Sequence, residues 1–498
     1  MTSPTIARPL APATLGRSRT RLLTFFCVAS LLYGGATFGW GPMQLILENN
    51  GVYARLCDTN DMDVCLKQRS ALLLVSTTTS LLFISAPLWG ALVDRHGPLL
   101  GIVTNAALVW AGLTFLVTAA FGTDVLLYPA FSCLMFGSVL SNILFVHAGL
   151  MFDTPEVTGK VIGLLNTMFD TGALTYLVLY EATRAWWNPE AAGWVFTMYL
   201  GLSVVVYGGV IWYWRDATCA GQGCDPIDEG GGPDGTEEEP EARDGSDPTI
   251  AKTEVQNDVG SSTENDKEAT GEEEGGSTEI SPRPKLKRRR SSIAKLRPLH
   301  QLRTRAFLFH AIFFGVVAAR STFVLSTAKG FLAHLGDDDH VYLRIFTLLQ
   351  PASIVGLPFL NWVIRTHGYS MALKLIVVMG ALQGVIQLIS TNLNVQVVGF
   401  ILFSFYRCFV FATCFGLLPT YLNVSTVGRG AGLLTLSQGV VCAVNAPLAA
   451  WAINGLGGDF FLSNLVYVLM YVPCVIMAWC IGHDLELDQQ RKDFETLK

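Results

Sequence analysis

The chain has 498 residues, 51% hydrophobic and 15% charged, with a formal net charge of −6. Half of its 40 acidic residues lie in 216–282 against three basic ones (Arg243, Lys252 and Lys267), and 283–305 then adds ten Lys or Arg with no acid. The other 408 residues are only about a tenth charged, where a soluble protein carries about a quarter, which argues against a soluble enzyme and for an all-α polytopic membrane protein.

Residues 1–21 form a basic tail with no apolar region of its own, and the apolar stretch from Leu22 is too long for a signal peptide, so the first span is expected to be retained. Stretches of the roughly 20 apolar residues that a bilayer core requires occur at 22–46, 71–93, 99–121, 125–150, 159–183 and 193–214, and again at 306–328, 341–363, 370–391, 397–421, 431–454 and 460–482. Twelve transmembrane helices in two six-helix halves follow, over 22–215 and 306–482, with a linker at 216–305 and a tail at 483–498. The excess of Lys and Arg falls on one side if both termini are cytoplasmic; Arg17, Arg95, Arg215, Arg365 and Arg429 then face inward, and Arg55, Arg69, Arg184 and Lys329 outward. The triplet Asn423-Val424-Ser425 falls in a cytoplasmic loop, where glycosylation is not expected.

The linker, acidic and then basic, lacks the apolar residues to form a core and is expected to be disordered. Its basic end abuts the membrane, and Arg288-Arg289-Arg290 ahead of Ser291 and Ser292 matches a basophilic kinase target. Most of the eleven cysteines lie in apolar runs. Cys57 and Cys65 instead share a polar loop, close enough to form a disulfide if that loop faces an oxidising compartment.

An internal repeat links the halves: residues 86–97, ending Gly90-Ala91-Leu92-Val93-Asp94-Arg95-His96-Gly97, align without a gap to 357–368, ending Asn361-Trp362-Val363-Ile364-Arg365-Thr366-His367-Gly368. Duplicated halves point to a transporter with its substrate site near the membrane midplane. In the first copy Gly90 allows close helix approach, Gly97 a turn, and Asp94 a contact to a helix N-terminus of the other half, with Arg95 pairing nearby. The second copy has Arg365 in place of Asp94 and is expected to latch little. The motif from Gly90 to Gly97 resembles the loop signature between the second and third helices of the major facilitator superfamily.

Three ionisable residues fall deep inside spans, where burial demands a partner or a function: Asp170, Arg320 and Arg407. Either guanidinium suits a substrate carboxylate, and Asp170 suits an arginine or a substrate amine. Thr322 and Phe323 lie beside Arg320; Trp40 lies in a Gly- and Pro-rich part of the first span that would expose backbone to a ligand; Asn142 and His147 are polar positions of the fourth span. Three stretches, Gly163 to Asp170 running on to Tyr180-Glu181, Arg320-x-x-Phe323, and Phe405-Tyr406-Arg407 followed by Gly430-x-Gly432-Leu433, resemble the amino-acid transporter branch formed by human solute carrier family forty-three and the apicomplexan amino acid transporters. The resemblance implies facilitated movement of amino acids, cationic or large neutral, across the plasma membrane by a carrier working as a monomer. Arg320 is expected to hold the carboxylate, with Asp170 or Arg407 completing the site. Another carboxylate or anion as cargo, or a nutrient sensor signalling through the linker, remain alternatives. The sequence shows no nucleophile with a base, no metal-ligand spacing and no phosphate-cradling loop, so no enzyme, cofactor, metal or nucleic-acid partner is expected. Energy then has to come from gradients or exchange, with uniport or exchange favoured because no dedicated sodium cage is visible.

Overall fold

The computed structural model of the protein describes residues 16–34, 39–57, 66–152, 155–186, 191–219, 296 and 298–497. Met1–Cys224 and Arg289–Lys498 belong to one compact unit; Asp225–Arg288 is a second, and it lies outside the described residues, as do Ser291 and Ser292.

The first half comprises α1 (Gly16–Ala29, prolonged by a π-helical turn, Ser30–Gly34), α2 (Trp40–Asn49), α3 (Leu66–Thr79), α4 (Ala86–His96), α5 (Pro98–Ala120), α6 (Leu127–Leu150), α7 (Pro155–Thr171), α8 (Ala173–Ala185) and α9 (Ala191–Cys219). A short α10 (Pro298–Gln301) precedes the second half, made of α11 (Arg305–His334), α12 (Val341–Leu349), α13 (Ser353–Ile389), α14 (Leu393–Tyr421), α15 (Val424–Cys442), α16 (Asn445–Ala450) and α17 (Phe461–Leu497). Ten helical segments among the described residues are long and apolar enough to cross a membrane. One of them, Val341–Ile389, has 49 residues, about 73 Å of helix against a hydrocarbon core of about 30 Å. That length is enough for two crossings, and Gly368 (φ 75°, ψ 177°) breaks the helical path inside α13. Gly97 (φ 88°, ψ 162°) makes the same turn between α4 and α5, at the equivalent position of the internal repeat. Both backbones adopt the left-handed region that favours glycine. The expected first span is α1 and α2, on either side of 35–38, which lie outside the described residues.

Several span limits differ from the sequence reading, and the twelfth most of all: helix α17 runs on to Leu497, through the 483–498 stretch expected to be a tail. The seventh runs on to His334 and takes in Lys329, because Thr304 caps its start and nothing breaks it before Gly336. The eleventh begins at Val424, so the glycine cluster lies inside helix α15. There it serves close approach between the halves: a Cβ on Gly432 would stand 2.6 Å from the Ala86 carbonyl oxygen and 2.9 Å from Pro87 Cα. The outward faces are apolar, with Val205 at 69%, Trp212 at 71%, Val355 at 76% and Ile476 at 61% exposure, as lipid contact requires.

Gly432→Val forces a branched side chain onto backbone, at about 1–3 kcal/mol of overpacking, and is expected to lower the melting temperature of the purified protein by several degrees. Gly201→Val, where a Cβ meets nothing within 4 Å, should leave it unchanged in the same thermal melt.

Candidate functional site

At mid-depth the halves are joined by charge. Arg407, in the middle of α14, donates from Nη2 to Asp170 Oδ1 at 2.7 Å. Asp170 ends α7, and both residues are buried to within 2% of full exclusion. One turn earlier Thr167 Oγ1 lies 3.1 Å from Cys408 Sγ, so neighbouring residues of the same two helices touch twice. Asp170 Oδ2 is buried with no hydrogen-bond partner. Removing one member of such a pair strands the other charge, at about 3–5 kcal/mol.

Arg320 points elsewhere. Its Nη1 donates to Asn464 Oδ1 at 2.7 Å, its Nη2 to Gln387 Oε1 at 2.6 Å and Gln383 Oε1 at 3.3 Å, and its guanidinium lies over the Tyr467 ring at 5.4 Å. All four partners belong to α13 and α17 of its own half. Thr322 donates to the Ala318 carbonyl and accepts from Gln438 at 3.2 Å, while Phe323 packs on Tyr467 and Phe460. In the first half Trp40 lies edge-on to Phe131, its buried indole N–H without a hydrogen-bond partner, and Asn142 Oδ1 on α6 is likewise buried and unbonded. The sequence-derived residues are thus divided among an inter-half pair, a second-half network and two orphaned polar groups of the first half.

At one end of the bundle Asp94 accepts from the backbone amides of Gly428 (3.1 Å) and Arg429 (2.9 Å). These amides belong to the second turn of α15, deeper than the helix N-terminus expected from sequence, because the absence of a side chain at Gly428 lets the carboxylate reach the backbone. Gly90 packs on the same backbone. Beside Asp94 lie Arg429 Nε at 3.8 Å and His147 Nε2 at 3.6 Å. Arg95, expected to pair there, is exposed and forms no ion pair among the described residues; it continues α4 past the contact.

The opposite end closes with side chains. Lys329 of α11 donates to Glu48 of α2, which also accepts from Gln44 at 2.8 Å. Arg344 of α12 lies 3.6 Å from Glu181 of α8 and over the Tyr180 ring at 5.7 Å. Burial, and then the neighbouring Lys329, pushes the His340 imidazole below its ordinary pKa. Lys329, taken from sequence as a loop residue, is 5% exposed. Its burial and its partner were missed; a lone acid closing an apolar run, four residues after Gln44, was the available signal. In the loop beyond α2, Cys57 is disulfide-bonded, and Cys65 lies outside the described residues.

No protein-family model matches the chain. It is 22% identical over 483 residues to Protein FMP42 of Saccharomyces cerevisiae, covering 90% of this chain and 91% of that protein. Among solved structures it resembles the human organic anion transporter MFSD10 (TM-score 0.56, 12% identity, 93% of this chain and 99% of that one) and the proton:xylose symporter XylE (TM-score 0.56, 12% identity, 93% and 95%). A bacterial homologue of the iron transporter ferroportin follows, in its outward-facing state (TM-score 0.51, 13% identity, 94% and 100%). The fold is that of the major facilitator superfamily.

Asp94→Ala removes two charge-assisted hydrogen bonds, about 1.5–3 kcal/mol each. Amide exchange over 424–432 is expected to accelerate at least tenfold by hydrogen–deuterium exchange mass spectrometry, with exchange in α2 unchanged.

Proposed function

We propose that the protein is a membrane carrier that moves a neutral, zwitterionic amino acid by alternating access, as a uniporter or exchanger. The observation that supports this reading is the Asp170–Arg407 pair between α7 and α14. A substrate entering between the halves has to separate these two charges, and a zwitterion can do so without stranding either: its carboxylate takes Arg407 and its ammonium takes Asp170. A simple anion would leave Asp170 unpaired, and a simple cation Arg407, each a cost of several kcal/mol in a buried site. The carboxylate role given to Arg320 from sequence therefore passes to Arg407. Trp40 and Asn142, with a free donor and a free acceptor, are the proposed polar contacts from the first half, and Thr322 and Phe323 those from the second. The likeness of the Asp170 and Arg407 stretches to the amino-acid transporter branch supports the same class.

The two ends supply the gates. Asp94 on α15 holds one closed and Glu48–Lys329 with Glu181–Arg344 the other, and alternation requires that they break in turn. The Lys and Arg distribution supports a cytoplasmic position for the Asp94 end and for both termini. We assign the carrier to the plasma membrane, working as a monomer, with Cys57 bonded to Cys65 on the outer side. A second reading, transport of an organic carboxylate, is favoured by the additional buried cation Arg320 and by the likeness to a human organic anion transporter.

Uptake of labelled phenylalanine or leucine into cells expressing the chain is expected to be competed by large neutral amino acids and not by their deaminated analogues. Equal competition by the deaminated acids would replace the zwitterion reading with the carboxylate one. Asp170→Asn and Arg407→Gln should each lower uptake at least 100-fold with surface expression retained, the equivalent of about 3 kcal/mol.

A further inference from the structure

Three Lys or Arg side chains are buried among the described residues: Arg320, Lys329 and Arg407. Lys329 is paired with Glu48 and Arg407 with Asp170. Arg320 has no carboxylate partner among the described residues. Its hydrogen bonds end on the amide oxygens of Asn464, Gln387 and Gln383, the titratable groups around it are Tyr406, Tyr467 and Tyr471, and its Nε is buried without a hydrogen-bond partner. An uncompensated guanidinium at mid-membrane depth is costly, and neutral amide oxygens and tyrosine rings offset only part of a full charge.

A small cavity adjoins this network. Gln387, Asn464 and Thr327, whose hydroxyl donates to the Phe323 carbonyl, are its polar lining, Val324, Phe346, Phe400 and Phe460 are among its apolar sides, and Arg320 lies behind the two amides. The two amides turn their oxygens to Arg320, so the polar atoms they keep for the cavity are N–H donors. The free volume is about 10 Å³, the space of one water-sized occupant. Donors in front of a buried cation, in a space too small for an organic molecule, select a single-atom anion. A dianion would bring a charge that nothing there balances.

From this arrangement we infer that the second half carries a binding site for a monovalent anion of about chloride size, held by the side-chain amides of Gln387 and Asn464 against Arg320. The site is lined from α11, α12, α13, α14 and α17, shares no residue with the Asp170–Arg407 pair, and does not depend on what the carrier transports. The anion completes the charge balance of the second half and stabilises it by binding the folded chain alone.

The test uses the purified full chain in detergent, melted at constant ionic strength in sodium gluconate, chloride, bromide, acetate or sulfate. Chloride and bromide are expected to raise Tm saturably over gluconate by about 3–5 °C, with sulfate inert, and equilibrium dialysis with labelled chloride to find one ion per chain. Gln387→Leu, which leaves Arg320 in place, should abolish the rise. If acetate stabilises and chloride does not, the site belongs to an organic carboxylate and the single-atom assignment falls. No difference among the salts for the wild-type chain, with no labelled chloride bound, overturns the anion site altogether. Amino-acid uptake measured in parallel reports on the transport reading separately, since either result for chloride is compatible with either result for uptake.

Discussion

The architecture depends on one buried contact between its halves, the hydrogen-bonded pair of Asp170 and Arg407. Two helical halves in lipid gain little from apolar association, because the hydrocarbon is as apolar as their side chains. What holds them in register is close backbone approach and polar bonding. Charge at mid-depth is the strongest form of that bonding, and also the one most sensitive to replacement. The pair carries no net charge, and Asp170 Oδ2 is a buried acceptor without a hydrogen-bond partner.

The two ends are closed by different chemistry. At one, a carboxylate reaches backbone amides through a helix face cleared by glycine at 428 and 432, so the contact tolerates no side chain and little displacement. At the other, Lys329 meets Glu48 and Arg344 meets Glu181 through long side chains that can follow some helix movement before parting. The Asp94 end is therefore the stiffer closure, and the Lys329 end the more compliant one. Loss of the first uncovers the glycine-cleared backbone face of α15 to water; loss of the second leaves charges that solvent can hydrate as soon as the end opens.

Much of this was legible in the sequence, for reasons that can be stated. Span positions follow from apolar length, and the Gly97 and Gly368 turns from the repeat, because both signals are local. Asp170 and Arg407 stood out because ionisable residues are rare at that depth, yet their partnership required knowing that α7 packs on α14. Lys329 was misread since a cation at a helix end is ordinarily hydrated, and only its distant partner Glu48 explains its burial. The pairing expected of Arg95 belongs to Arg429 and His147, because Arg95 follows Asp94 directly on α4 and adjacent residues of a helix do not share a face.

Arg320 shows where sequence reasoning about buried charge reaches its limit. An arginine at mid-depth beside Thr322 and Phe323 has the marks of a substrate anchor, and the same marks arise when the side chain faces the supporting helices instead. The direction of one Cα–Cβ bond on α11 decides between them: Asn464 and Gln387 receive the guanidinium on the side of α13 and α17, and the other half is not within its reach of hydrogen bonds. Two arginines of similar position in their helices thus have unequal situations: Arg407 is neutralised by a carboxylate of the other half, whereas the charge of Arg320 rests on amide oxygens that share it without neutralising it.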